Sequence, residues 1–137
     1  MLRVGYISDL HLEHIKYRLP HPFFFQDEPK DVGGDVLIVA GDLTRAPFMR
    51  ARRTDPEARS IKKMVERVQR NIFSKYNVVL YVMGNHEHYG SVFGESKAAL
   101  REYFDGTNVV ILDNDIWKHQ DGTLFVGATL WSDFMKA

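Results

Sequence analysis

The chain has 137 residues, 45% of them hydrophobic and 26% charged, which suits one globular domain with a real core. Its 18 basic and 18 acidic residues cancel, which argues against a general nucleic-acid binder. With no cysteine, disulfide frameworks and thiolate metal sites are excluded, and any metal must be held by His, Asp, Glu or Asn. No charged segment followed by a long apolar run opens the sequence, and no apolar run reaches bilayer length. The expectation is therefore a cytoplasmic protein with no membrane partner.

A first strand is expected over Arg3 to Ile7, with Ser8 opening a turn. Asp9 and His11 follow, two residues apart. In extended backbone such a pair faces one side and can converge on one ion. Leu12 to Pro29 reads as a long loop. Pro20, Pro22 and Pro29 block regular structure there, and Phe23, Phe24 and Phe25 are expected to pack it down. Asp31 to Gly34 is turn chemistry. Asp35 to Ala40 is a nearly unbroken apolar run, as in a central strand covered on both faces, and it stops at Gly41-Asp42.

Arg45 to Thr54 reads as a mobile loop rich in arginine: Arg45, Arg50, Arg52 and Arg53. A helix then begins, capped by Asp55 with Pro56 in its first turn, and Thr54-x-x-Glu57 offers a capping box one residue earlier. Ile61, Met64, Val65, Val68 and Ile72 form its apolar stripe, and the helix is expected to reach Tyr76. A third strand, Asn77 to Met83, stops at Gly84-Asn85-His86-Glu87-His88. A shorter helix starts between Ser91 and Ser96, with Ala99, Leu100, Tyr103 and Phe104 on its apolar side. Val109 to Leu112 is a fourth strand. Ile116-Trp117 and Leu124 to Val126 then flank Gln120-Asp121-Gly122 as a hairpin. This alternation predicts an α/β domain with a largely parallel sheet.

Three apolar strands end in polar clusters: Asp9-x-His11, Gly41-Asp42 and Gly84-Asn85-His86-Glu87. In a parallel sheet these ends share one edge, where open α/β sheets place their ligands. Two metal ions roughly 3.5–4 Å apart need one bridging carboxylate and separate ligands on each side. Asp42, central and short, is the natural bridge. Asp9 and His11 would hold one ion, and Asn85, through its amide oxygen, the other. Taken singly, Asp42 also reads as a cap, Asn85 as a turn residue and His11 as a loop histidine. Dismissing the site needs all three at once. His14 and His88 read first as exposed loop residues, with extra ligation as the alternative. The arginines from Arg45 onward read either as a solvated loop or as a hold on a phosphate-bearing substrate. Glu87 reads as support for the loop that carries His86.

In order, spacing and strand context, the three clusters resemble the first three motifs of the calcineurin-like metallophosphoesterases. The tail Leu130-Trp131-Ser132-Asp133-Phe134 also resembles bacterial and phage members. The resemblance implies a dinuclear site for manganese, iron or zinc. Residues matching Asp9, His11 and Asp42 hold the first ion, and those matching Asp42 and Asn85 the second. The residue matching His86 contacts the phosphate and protonates the leaving oxygen, while a metal-bridging hydroxide attacks phosphorus. The implied substrate is a phosphomonoester or phosphodiester.

The sequence departs from that family after His88, where its only histidine is His119; an isolated His and a Gly-His-x-His motif are lacking. Residues 1–137 thus read as one incomplete domain, the first half of a four-layer αββα metallophosphoesterase fold. Three readings stay open: a phosphoesterase impaired by truncation and holding as few as one ion, a non-catalytic remnant or piece of a split enzyme, and a nuclease of the same superfamily. With one face of the sheet expected to lack its cover, the chain is also expected to self-associate or to need a missing C-terminal half.

Overall fold

A computed structural model describes residues 1–14, 32–52, 54–92 and 94–130. Within these residues the chain runs β1 (Val4–Ile7), β2 (Gly34–Ala40), α1 (Pro47–Arg50), α2 (Pro56–Asn71), β3 (Tyr76–Val82), α3 (Glu95–Tyr103), β4 (Val109–Leu112), β5 (Asp115–Lys118) and β6 (Leu124–Gly127). Strands β1 to β4 form a parallel sheet in sequence order, and β5 and β6 form a separate antiparallel hairpin. The α/β class with a largely parallel sheet and a C-terminal hairpin is therefore observed. The expected packing of Phe23 to Phe25, and Arg53 and Trp131 to Phe134, lie outside the described residues.

The apolar runs at β2 and β3 have the cause assigned to them: both faces are used. Leu37, Val39, Val79, Tyr81 and Ile111 point to the helix side. There they meet Ile61, Val65, Val68 and Ile72 of α2 and Ala99 and Leu100 of α3. The alternate residues Val36, Leu80 and Leu112 form a second buried cluster. Trp117 and Phe125 of the hairpin, directly opposite each other, pack against that cluster with ring centroids 5.7 Å apart. The second face is therefore not bare: the hairpin lies over part of it.

Asp55 is the cap of α2, accepting from the backbone N–H groups of Glu57 at 2.8 Å and Ala58 at 3.1 Å. The helix ends at Asn71 rather than Tyr76. A 3-10 turn, Phe73–Lys75, leads directly into β3. The segment expected as a mobile arginine loop contains α1 instead. Pro47 supplies its first turn, Met49 is buried, and the Lys62 ammonium ties Ala51 O at 2.6 Å. Arg50 reaches across to Glu102 of α3 at 3.1 Å.

Candidate metal centre

The register pairs Ile7 with Val39 and Val39 with Tyr81, so the carboxyl ends of β1, β2 and β3 reach one edge. Pairing continues past the strands. Asp9 N donates to Gly41 O at 3.1 Å, His11 N to Asp42 O at 2.9 Å, and Leu12 N to Leu43 O at 2.9 Å. Asp9, His11 and Asp42 all have positive φ, at 56°, 45° and 54°. Non-glycine residues seldom adopt that region, at a cost of about 1–3 kcal/mol each, and such residues gather at functional sites. The convergence of Asp9 and His11 thus comes from a left-handed turn, not from the extended alternation expected. Gly41, with φ +87°, approaches so closely that a Cβ there would lie 2.7 Å from Gly84 N.

His11 Nε2 lies 3.8 Å from Asp9 Oδ1 and 3.7 Å from Asp42 Oδ2. The three residues each bring one ligand atom within 4.8 Å of the others. Asp9 is mostly exposed, whereas His11 and Asp42 are largely covered. Among the described residues neither carboxylate has a Lys or Arg partner, so a divalent cation would meet two uncompensated carboxylates and an imidazole. That donor set suits manganese, iron or zinc, and the residues fit such an ion.

Asp42 Oδ1 accepts the His86 backbone N–H at 2.9 Å, which draws the β3 loop against it. Asn85 lies between Gly84 and His86, which both meet Asp42, and donates through Nδ2 to the Tyr89 hydroxyl at 2.7 Å. His86 places Nδ1 2.8 Å from Glu13 Oε1, with its ring centroid 4.3 Å from that of His11. His14, half-exposed, stands 5.6 Å from His86 and 5.8 Å from His11 by ring centroids, so it joins this group. His88 does not; its Nδ1 is paired with Ser96 Oγ at 3.1 Å. His119 is in the hairpin turn, 2.8 Å from Asp121. Arg45 holds Tyr89 O through Nε at 3.0 Å and stacks over Phe48. A cleft of about 320 Å³ adjoins Asn85, walled by Val82, Met83, Val126 and Leu130.

Beneath these groups lies Glu87, fully buried. Its Oε1 accepts from Leu43 N at 2.8 Å and the Tyr81 hydroxyl at 2.6 Å, and its Oε2 from Gly84 N at 2.8 Å and Asp42 N at 3.1 Å. One carboxylate thereby fastens the β2 and β3 loops together. Burial pushes its carboxyl above the ordinary range, although these donors pull the other way. The same burial, with the Glu87 charge beside it, raises the Tyr81 phenol. Glu13 is the residue sequence reasoning passed over. It stands two residues beyond the motif, in Asp9-x-His11-x-Glu13, but that spacing does not signal its burial.

The sequence profile of the calcineurin-like phosphoesterases matches residues 2–133. An uncharacterized protein of Acanthamoeba polyphaga mimivirus is 28% identical over 146 residues, covering 96% of this chain and 45% of the viral protein. The chain thus spans about half the length of that curated relative. With the first two strands of a four-stranded parallel sheet delivering Asp9, His11 and Asp42 to one edge and the profile spanning almost every residue, the chain belongs to the calcineurin-like phosphoesterase family.

Proposed function

We propose that this chain carries the metal-binding edge of a phosphoesterase that hydrolyses phosphomonoesters or phosphodiesters. The observation that supports this most directly is the convergence of Asp9, His11 and Asp42, two carboxylates and an imidazole on three loop residues with left-handed backbone. Asp9, His11 and Asp42 would hold a first manganese, iron or zinc ion; Asp42 and Asn85 would hold a second. Divalent cations there would polarise the phosphoryl oxygen and make water a usable nucleophile at neutral pH. His86, whose Nδ1 lies 2.8 Å from Glu13 Oε1, would touch the phosphate through Nε2 and, as the imidazolium with a proton on each ring nitrogen, would give the Nε2 proton to the leaving oxygen. Arg45 would need its terminal nitrogens for any phosphate contact, since Nε is taken by Tyr89 O.

Calorimetry with Mn²⁺ tests the ligand assignment, and hydrolysis of p-nitrophenyl phosphate and bis(p-nitrophenyl) phosphate tests the reaction. Asp42→Ala should remove more metal than any other single change. Unchanged Mn²⁺ binding in that variant would overturn the assignment.

A second reading has an observation of its own. Among the described residues only Asp42 and Asn85 are assigned to the second ion, where a catalytic zinc ordinarily has about three protein ligands. Residues 1–137 would then be part of a larger or split domain, weak as a catalyst alone. A wild-type chain that binds one equivalent of metal and hydrolyses neither ester would favour this reading. A nuclease is the least supported, because the net charge is zero.

A further inference from the structure

We propose that Glu13 is a positioning residue for two histidines at once, fixing the ring tautomers of both His11 and His86. The consequence for turnover rests on the phosphoesterase reading; the tautomers themselves do not.

The Glu13 side chain is 3% exposed and has no Lys or Arg partner among the described residues. A carboxylate buried in that way needs donors. What faces it is imidazole: His86 Nδ1 at 2.8 Å, His11 Nδ1 at 3.5 Å and His14 Nε2 at 3.7 Å. The first is a made hydrogen bond. The second runs to the same oxygen, Oε1, and at 3.5 Å is too long for a made bond, although among the described residues His11 Nδ1 and Glu13 Oε2 are each buried without a hydrogen-bond partner. Leaving such atoms unpaired costs about 1–3 kcal/mol each, and few folded proteins keep them so.

The geometry of His11 gives the pairing its use. Its Nε2 faces Asp9 and Asp42, so Nε2 is the nitrogen that would take a cation and must carry no proton. The proton then belongs on Nδ1, which needs an acceptor, and Glu13 is the carboxylate on that side. The same logic holds for His86. With its Nδ1–H given to Glu13, Nε2 is left for the substrate. Glu13 can do this because its own backbone is fixed. It belongs to the 3-10 turn Leu12–His14, where Leu12 is buried and its N–H is tied to Leu43 O at 2.9 Å.

A competing use of the same residues is direct metal binding, since ligand atoms of His11, Glu13, His14 and His86 lie within 4.8 Å of one another. The 2.8 Å separation of His86 Nδ1 and Glu13 Oε1 favours the hydrogen bond. Two ligands on one tetrahedral zinc, with bonds of about 2.0–2.1 Å, stand about 3.3 Å apart.

The experiment is long-range proton–nitrogen NMR on the ¹⁵N-labelled chain above pH 8, metal-free and with Zn²⁺, with calorimetry on the same samples. Wild type should show the Nδ1–H tautomer at both His11 and His86. In Glu13→Gln, whose amide can present either a donor or an acceptor, the tautomers should become mixed. Zn²⁺ affinity at the Asp9–His11–Asp42 set should then fall about 10–100-fold. An Nε2–H tautomer at His86 in wild type would overturn the proposal, as would unchanged tautomers and affinity in Glu13→Gln. Loss of a bound zinc equivalent in His14→Ala would overturn it in favour of an ion held by the cluster. Should Glu13→Gln not fold, the wild-type tautomers decide alone. A wild type with these tautomers and no ester hydrolysis would count against this chain as a catalyst on its own and leave the Glu13 assignment standing.

Discussion

Asp42 uses its two oxygens for different tasks: Oδ1 takes the His86 backbone N–H, and Oδ2 faces His11 Nε2. Asp42→Asn separates them. The amide oxygen can keep the bond to His86, while the charge that draws a cation is gone. Calorimetry should show Mn²⁺ affinity reduced at least about tenfold, with a melting temperature close to wild type; equal losses of both would make Asp42 chiefly structural. His86 should behave in the opposite way. In a complete enzyme, His86→Ala should lower turnover about 10²–10⁴-fold, the range for removing a general acid, with metal content unchanged. A variant that simply unfolds would show His86 to be a folding residue. Glu87→Gln tests the third kind of role. Its carboxylate accepts four hydrogen bonds, and an amide cannot accept at both ends. The chain should lose about 1–3 kcal/mol of stability by urea unfolding. No loss at all would mean that the two loops are held by other contacts.

At the scale of elements, what could be read in advance was what local chemistry determines. Helix α2 shows this best: Asp55 and Pro56 mark its start, and the stripe from Ile61 to Ile72 gives its buried face. Asp55→Ala should therefore cost about 0.5–2 kcal/mol in thermal unfolding and leave metal binding untouched. A change in metal affinity would mean that α2 is coupled to the site. Helix α1 was not legible, because four residues among arginines carry little helix signal. It exists through tertiary contacts: buried Met49, the Lys62 tie to Ala51 O and the Arg50 pair with Glu102. The site divides along the same line. Asp9, His11, Asp42, Asn85 and His86 announce themselves as polar residues after apolar strands. The left-handed backbone of Asp9, His11 and Asp42 does not, because it is imposed by cross-loop hydrogen bonds such as His11 N to Asp42 O. Glu13 was hidden for a related reason. Its partner His86 is 73 positions away, and nothing local marks a glutamate for burial.

For the whole molecule, the question is what its outward apolar residues do. The hairpin uses one row, Trp117 and Phe125, against the sheet. Its other row is exposed: Ile116 at 65%, Val126 at 75% and Leu124 at 58%. Ile116 and Val126 stand directly opposite each other, so they form one surface rather than scattered points. Tyr6 at 82% and Val4 at 45% add exposed apolar area on β1, an edge strand among the described residues. A contiguous apolar patch of more than a few hundred Å² usually marks an interaction surface. The outer hairpin row is therefore expected to bury itself against a second copy when the chain is alone. Size-exclusion chromatography with light scattering at increasing concentration should show a dimer or larger species. Ile116→Lys with Val126→Lys should restore the monomer. The two changes lie on an outward row and should each shift stability by no more than about 0.5 kcal/mol. A wild-type chain that stays monomeric across the concentration range would show that this row is tolerated in water, and self-association would be withdrawn. A double variant that remains dimeric would move the contact to the β1 edge, where Tyr6→Lys would be the variant that breaks it.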